Sequence, residues 1–190
     1  YGAAEVSVNK LIDQFPGKEI LYNILGAILH SQKKSYEAID AYNKAISINS
    51  EYASAYGNLG TLYQILKQYD EAIINFKKAI KLKNNYFEAF NNLGTVYKIL
   101  GKENEALINL ERAISINPQY VEAHSNLGYV NTDLEKNQKA IFHFQKAIEI
   151  NNNYEKAYYG LGKLYLKIKD YKKAISYFKN AILINSKYEE

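Results

Sequence analysis

Cysteine is absent from this sequence of 190 residues. Its absence excludes a disulfide framework and a metal site built on thiolates. Long hydrophobic runs are also missing, because none approaches the roughly 20 consecutive apolar residues that a membrane-spanning helix requires. We therefore expect a protein without a membrane segment, and we expect it in the cytoplasm.

Strong charge of one sign is lacking as well. The net charge is only +4. The positive charges come almost entirely from lysines, since Arg112 is the only arginine, and these lysines are scattered along the chain. Proteins that bind nucleic acid concentrate basic residues in a patch or a stripe. We therefore expect no nucleic-acid partner, and a helical repeat that binds RNA is the less favoured alternative.

The sequence does contain ample apolar material and few helix breakers, with 47% hydrophobic residues, 2 prolines and 10 glycines. A Leu-Gly pair recurs every 34 residues, at Leu25-Gly26, Leu59-Gly60, Leu93-Gly94, Leu127-Gly128 and Leu161-Gly162. A fixed period of this size is typical of a solenoid, whose stacked units form a long surface rather than a pocket. The period therefore favours recognition of another chain over catalysis.

One repeat contains two stretches with apolar residues at helical spacing. In the second repeat these stretches cover residues 55–66 and 72–82, and a short polar join at 67–69 separates them. Amphipathic helices joined by so short a connection fold back antiparallel on one another. Each repeat is therefore predicted to be a helical hairpin.

Small and large side chains recur at fixed places in this hairpin. The first helix has a glycine column at Gly26, Gly60, Gly94, Gly128 and Gly162. The second helix has a column of large residues at Tyr42, Phe76, Leu110, Phe144 and Phe178. Because a glycine inside a helix costs about 1 kcal/mol relative to alanine, its recurrence predicts that the two helices cross closely at these positions.

These columns are similar to the signature of the tetratricopeptide repeat family. The signature residues of the second repeat are Tyr56, Leu59, Gly60, Tyr63, Ala72, Phe76 and Ala79. Pro118 is the terminal proline of the third repeat, while tyrosine, phenylalanine or histidine replaces the leading tryptophan. The resemblance covers essentially the whole chain, and it implies an all-α, right-handed superhelical solenoid of antiparallel helix hairpins.

The period also divides the chain into repeats. Residues 1–18 are predicted to be the second helix of a truncated leading repeat. Five complete repeats are predicted to follow, at residues 19–52, 53–86, 87–120, 121–154 and 155–188. The truncated start, and an end without a polar capping helix, predict end-to-end self-association or a segment cut from a longer protein.

In this family the first helix of each hairpin lines the concave face, so the resemblance implies that a protein or peptide binds there. Immediately before Leu-Gly stand Asn58, Asn92 and Asn126, in three consecutive repeats. This row resembles the asparagine ladder of O-linked N-acetylglucosamine transferase. A carboxamide both donates and accepts hydrogen bonds, so such a row can hold the backbone of an extended peptide. The alternative is that these asparagines only support the packing of neighbouring helices.

Other candidates for the groove are polar or aromatic residues of the same helices. They are Asn23, Thr61, Asn91, Thr95, Lys98, Tyr129, Tyr159 and Lys163. The last repeat has the most basic and aromatic set, which favours an acidic or aromatic segment as its partner.

Catalysis has few candidate residues. The three histidines are His30, His124 and His143, and no metal-ligand spacing connects them. His124 occupies the aromatic packing column, so we expect it in the core. We therefore expect no enzyme activity, cofactor or metal in this segment. An alternative is that the segment docks substrates for a larger enzyme of the glycosyltransferase or sulfotransferase type.

Overall fold

A computed structural model describes residues 2–186, and within that range helices joined by short turns are the only regular secondary structure. The helices are α1 Gly2–Gln14, α2 Glu19–Ser31, α3 Ser35–Ile48, α4 Ala53–Ile65, α5 Tyr69–Leu82, α6 Phe87–Ile99, α7 Glu103–Ile116, α8 Val121–Asp133, α9 Asn137–Ile150, α10 Glu155–Lys167 and α11 Tyr171–Ser186. The predicted all-α class is confirmed. The repeat boundaries stay a prediction, and their ends at Tyr1 and at residues 187–188 lie outside the described residues.

The chain forms two compact units that divide between Val96 and Tyr97, within α6. In unit 1, the chain up to Val96, α2 packs against α3 and α4 packs against α5. In unit 2, the chain from Tyr97 onwards, α8 packs against α9 and α10 packs against α11. Each unit is therefore built from helical hairpins, as the 34-residue period predicts.

The glycine column explains how closely each hairpin of unit 1 closes. A Cβ atom placed on Gly26 would lie 2.6 Å from the ring of Tyr42, and one on Gly60 would lie 2.8 Å from the ring of Phe76. These distances are shorter than any ordinary carbon contact, so only glycine fits at either place. The structure thus confirms the close crossing at these two glycines.

Unit 2 repeats the same arrangement. A Cβ on Gly128 would lie 2.6 Å from the ring of Phe144, and one on Gly162 would lie 2.6 Å from that of Phe178. Phe144 is completely buried in a cluster that includes Ala140, Ala147, Leu161 and Leu164. Burial of such a ring contributes roughly 1.5 to 3 kcal/mol.

The turn inside each hairpin has one residue in the left-handed backbone region. These residues are Lys33, Lys67, Gly101, Glu135 and Lys169, with φ between 59° and 67°. In the first turn the Lys34 amide donates to the Leu29 carbonyl at 3.0 Å. This bond over five residues is the mark of a Schellman motif, which ends the first helix and reverses the chain.

Within each unit the first helices of successive hairpins lie side by side. In unit 1, α2 contacts α4, and in unit 2, α8 contacts α10. The second helices of the same hairpins make no such contact among the residues described in either unit. Side chains of successive first helices can therefore meet on one face, which is where the candidate site lies.

Candidate functional site

The face formed by the first helices of unit 1 has a chain of amide and hydroxyl groups. The Asn58 Nδ2 donates to the Oδ1 of Asn23 at 2.9 Å, and the Asn92 Nδ2 donates to the Thr61 Oγ1 at 3.3 Å. Both bonds join one repeat to the next. The structure thus brings together Asn23 with Asn58, and Thr61 with Asn92, all of which the sequence predicts at this face.

Each of these bonds uses only part of what the asparagine offers. A carboxamide has two N–H groups and an oxygen with two lone pairs. Asn58 gives one N–H to Asn23, and Asn92 gives one N–H to Thr61 while its Oδ1 accepts from the Asn91 Nδ2 at 3.2 Å. These bonds to the adjacent repeat orient both carboxamides, and because Asn58 and Asn92 are only half-buried, part of each residue stays accessible.

Two other predicted residues of unit 1 lie deeper in the structure. Asn91 is only 5% exposed, and its carbonyl oxygen accepts a bond from the Thr95 hydroxyl at 2.9 Å. The hydroxyl of Thr95 is therefore used within its own helix, and the helix is half-buried there. Their geometry indicates that they support the face more than they offer groups to a ligand.

A tyrosine column that the sequence reasoning missed covers part of this face. Tyr86 precedes α6, and a Cβ on Gly57 would lie 2.7 Å from its hydroxyl oxygen. The pKa of Tyr86 is raised, mainly because the side chain is buried. The available signal was a 34-residue recurrence at Tyr52, Tyr86, Tyr120 and Tyr154. In unit 2, Tyr154 packs against the core cluster, and burial raises its pKa to about 12.

In unit 2 the first helices have aromatic and cationic groups instead. The Tyr129 hydroxyl donates to the Lys156 carbonyl at 2.8 Å, and its ring packs edge-on against Phe144 at 5.0 Å between centroids. Burial raises the pKa of Tyr129 to about 12. The Lys98 Nζ lies 5.5 Å from the centre of the Tyr129 ring and 3.5 Å from the Asp133 Oδ2.

Tyr159 and Lys163 form the more open part of this second face. Tyr159 is 46% exposed, and the Nζ of the exposed Lys163 lies 5.9 Å from its ring centre. No carboxylate of the described residues is within ion-pair distance of Lys163. Asn126 lies half-buried on α8 in the same unit.

Unit 2 also brings two histidines together that lie 19 residues apart in the sequence. His124 is 5% exposed, which confirms it as a core residue. Its Nε2 lies 3.1 Å from the Pro118 carbonyl oxygen, and its Nδ1 lies 3.3 Å from the Nδ1 of His143. A carbonyl only accepts, so the Nε2 carries the proton and the Nδ1 of neutral His124 accepts from His143.

Burial disfavours the charged form of both rings. It lowers the pKa of His124, and it lowers the pKa of His143 to about 4, with a further contribution from His124. The pair is therefore neutral at pH 7. Across residues 2–186, no group of three or more acidic or histidine side chains is placed to hold a metal ion.

None of the helices described is long and apolar enough to cross a membrane.

Four matches to family models cover most of the chain. Models described as tetratricopeptide repeat match residues 18–85, 52–119 and 155–188, and one described as TPR repeat matches residues 130–169. No curated protein sequence matches the chain.

Solved structures with the same fold include those of YrrB and MamA, both at more than 25% identity. YrrB, described as a TPR protein with an unusual peptide-binding site, is 28% identical with a TM-score of 0.72, over 93% of this chain and 91% of that one. MamA is 27% identical with a TM-score of 0.75, over 87% of this chain and 96% of that one. Cut9, from a complex with Hcn1, is 22% identical with a TM-score of 0.86, over 97% of this chain and 37% of that one, which shows the fold alone.

Proposed function

The chain belongs to the tetratricopeptide repeat family, and from that membership we propose that it is a non-catalytic scaffold that binds other proteins. Two observations support this proposal. A similar structure, YrrB, is described as having a peptide-binding site. The first helices of each unit present half-buried polar and aromatic groups on one face, and such faces are where repeat proteins bind their partners.

We place the peptide contact of unit 1 at Asn58 and Asn92, and the period continues that row to Asn126 in unit 2. The observation that carries this proposal is the pair of bonds between repeats, from Asn58 to Asn23 and from Asn92 to Thr61. They hold each carboxamide in one orientation before any ligand arrives, which reduces the entropy lost on binding.

An extended peptide has an alternating series of N–H and carbonyl groups along its backbone. The second N–H of each Nδ2 would donate to a peptide carbonyl, and the Asn58 Oδ1 would accept from a peptide N–H. Such contacts bind the backbone without selecting side chains. Contacts of this kind are what the resemblance to the asparagine ladder of O-linked N-acetylglucosamine transferase implies, and that resemblance stays a prediction.

Side-chain preference would come from unit 2. Lys163, held beside the exposed ring of Tyr159, offers a positive charge and an aromatic face at the same place. These groups fit an acidic or aromatic segment of the partner. Tyr129 and Lys98 contribute less, because the hydroxyl of one and the charge of the other already have partners within the unit.

The test is to select binders for the intact chain from a displayed library of random peptides. The affinity of one selected peptide is then measured by calorimetry for the Asn58→Ala/Asn92→Ala variant. The matched control is Asn75→Ala/Asn109→Ala, two half-buried asparagines of second helices whose Nδ2 groups donate to main-chain carbonyls four residues earlier.

We expect the groove variant to bind about 10-fold to 100-fold more weakly, since each lost hydrogen bond costs about 1 kcal/mol. The control should bind as the parent does. Unchanged affinity in the groove variant would remove the asparagine row from the site. A library that yields no binder would contradict peptide binding itself.

A further inference from the structure

The histidine pair of unit 2 occupies two positions that also meet in the next hairpin. The ring centroids of His124 and His143 are 5.6 Å apart. One period later, those of Tyr158 in α10 and Tyr177 in α11 are 6.5 Å apart. The contact between these positions therefore belongs to the hairpin fold, and only the pair at His124 and His143 has an imidazole at both of them.

The distance between the two imidazoles matches that of two ligands of one tetrahedral metal ion. The Nδ1 atoms of His124 and His143 are 3.3 Å apart. Zinc binds imidazole nitrogens at about 2.0–2.1 Å with tetrahedral angles, which places two such nitrogens about 3.3–3.4 Å apart. Neighbouring ligands of an octahedral or square-planar ion lie closer together, at about 3.0 Å. The separation therefore fits zinc.

Both Nδ1 atoms can offer a lone pair to such an ion. The Nε2 of His124 donates to the Pro118 carbonyl oxygen at 3.1 Å, so its Nδ1 is the basic nitrogen. A main-chain carbonyl bonded to the far nitrogen is a usual partner of a metal-binding histidine, because it fixes the tautomer and the ring orientation. When the ion binds, the proton on the Nδ1 of neutral His143 passes through solvent to its Nε2, and the ring stays neutral.

The pair is neutral at pH 7 and partly open to solvent. Burial lowers the pKa of both rings, so protons compete little with a metal ion at this pH. His143 is half-buried, and Phe142, whose ring packs against it at 5.1 Å between centroids, is 59% exposed. Among residues 2–186 no third histidine or acidic side chain joins the pair. Water would therefore complete the coordination of the ion from the open side.

The charged side chains around the pair act in both directions. Lys146 disfavours a positive charge on His124, and Lys139 disfavours one on His143. Glu149 favours a positive charge on His124, and its carboxylate lies 2.8 Å from the Lys146 Nζ. Because the lysines oppose a cation, the site requires a metal that binds imidazole strongly. Mg²⁺ and Ca²⁺ prefer oxygen ligands, which the pair does not offer.

We propose that His124 and His143 bind one zinc ion between their Nδ1 atoms, and that this ion links α8 to α9. The two residues are 19 positions apart in the sequence and come together only when the hairpin closes, so no sequence motif indicates the site. An ion that binds only the closed hairpin stabilises it. Zinc would therefore stabilise unit 2 and leave unit 1 unaffected.

The test is calorimetric titration of zinc into the intact chain, without a histidine tag, at pH 7. One variant is His143→Asn, which introduces the residue that stands one period earlier at Asn109. The other is His124→Tyr, which introduces the residue that stands one period later at Tyr158. Both should fold, as circular dichroism can check, because neighbouring repeats have these residues at the same positions. The matched control is His30→Gln, which alters the one remaining histidine.

We expect the parent chain to bind one zinc ion. Either variant of the pair should bind zinc at least about tenfold more weakly, because loss of an outer partner of a ligand alone costs about 10-fold to 100-fold. His30→Gln should bind as the parent does, and magnesium should not bind. Zinc at about ten times its dissociation constant should slow amide exchange in α8 and α9 about tenfold, with little change in α2 and α3.

Equal zinc affinity of the parent and His143→Asn would overturn the proposal, as would loss of binding in His30→Gln. Nitrogen NMR of the imidazoles in the unaltered chain is the second measurement, and it does not depend on whether a variant folds. The Nδ1 resonances of His124 and His143 should both shift with zinc. A shift in only one ring, or in neither at millimolar zinc, would show that the pair does not share an ion. Neither histidine belongs to the asparagine row, so failure here leaves the proposed peptide site unaffected.

Discussion

The two units have the same hairpin packing but different chemistry on their first helices. In unit 1 the face is a series of amides and hydroxyls that bond from one repeat to the next, as Asn58 does to Asn23. In unit 2 the corresponding helices present Tyr129, Tyr159 and Lys163. In both units a glycine lies against a large ring, as Gly60 does against Phe76 and Gly128 against Phe144.

This contrast shows which positions of the repeat are constrained. The glycine and ring columns determine how a hairpin closes, so a change there is felt throughout the hairpin. The first-helix positions that face outward have no such requirement, and each repeat can present its own polar or aromatic group. The fold can therefore stay the same while the chemistry offered to a partner changes along the chain.

The largest expected effect tests whether the two units share their packing. Gly60→Leu in unit 1 and Gly128→Leu in unit 2 each place a side chain into a ring less than 3 Å away. Each should destabilise its own unit by about 3 kcal/mol or more, because overpacking strains the backbone as well as the side chains. Hydrogen exchange of amides in α4–α5 and α8–α9 measures the two losses separately.

Similar losses in the two units would support a common packing. A loss in one unit of less than a third of that in the other would show that the two hairpins close differently. Ala substitutions at Gly2 and Gly17 are suitable controls, since a Cβ at either position meets no atom within 4 Å.

The next largest effect should be a difference between the two units in how their stability depends on pH. The folded pKa values of His124 and His143 lie below the ordinary value of about 6.5, the latter at about 4. Between pH 6.5 and 4 the unfolded chain therefore binds more protons than the folded chain. The contribution of the pair to stability is complete above pH 6.5 and is lost as the pH is lowered, which should destabilise unit 2 by about 2 kcal/mol between pH 6.5 and pH 5.

The geometry of the histidine pair also predicts that unit 2 loses stability as the pH is lowered. Protonation of both rings would place two N–H groups against each other across 3.3 Å. Lys146 and Lys139 near the pair oppose a positive charge, while Glu149 favours one on His124. Hydrogen exchange at pH 7 and pH 5, corrected for intrinsic rates, should show weaker protection in α8 and α9 at pH 5 and little change in α2–α5.

The double variant His124→Phe/His143→Gln is the matched control, because the phenylalanine restores the aromatic column and glutamine does not titrate. Its unit 2 should be equally stable at the two pH values. If the parent chain shows the same protection at pH 5 and pH 7, the pair does not destabilise the fold in acid. Hydrogen bonds lower the pKa values of the Glu5 and Glu19 carboxyls, so in the folded chain both stay ionised at pH 5 as at pH 7.

The sequence predicted the fold well because the constraint that defines it is local and repeated. A hairpin with Gly60 opposite Phe76 needs residues only 16 positions apart, and five copies of the pattern remove ambiguity. The contact between His124 and His143 was missed, since it depends on how two facing helices are rotated. The burial of Asn91 was missed for a related reason, because position along a helix does not say what the next hairpin covers.

A smaller effect should distinguish the amide series of unit 1. Asn58→Ala removes the donor to the Asn23 Oδ1 and leaves that half-buried oxygen without this bond. We expect a loss of about 1 kcal/mol, which a double-mutant cycle with Asn23→Ala should recover in part because the two residues act as a pair. Urea denaturation followed by circular dichroism measures it. Strict additivity of the two substitutions would show that the bond contributes nothing.

Tyr129→Phe is the counterpart in unit 2, and its effect should be the smallest. The hydroxyl donates to the Lys156 carbonyl, but that carbonyl lies within α10, where a main-chain amide can also bond to it. Loss of the hydroxyl therefore leaves no unpaired group, and the ring still packs edge-on against Phe144. We expect a loss of about 0.5 kcal/mol by urea denaturation. A loss larger than that of Asn58→Ala would mean that the aromatic face of unit 2 stabilises the stack of hairpins more than the amide series of unit 1 does.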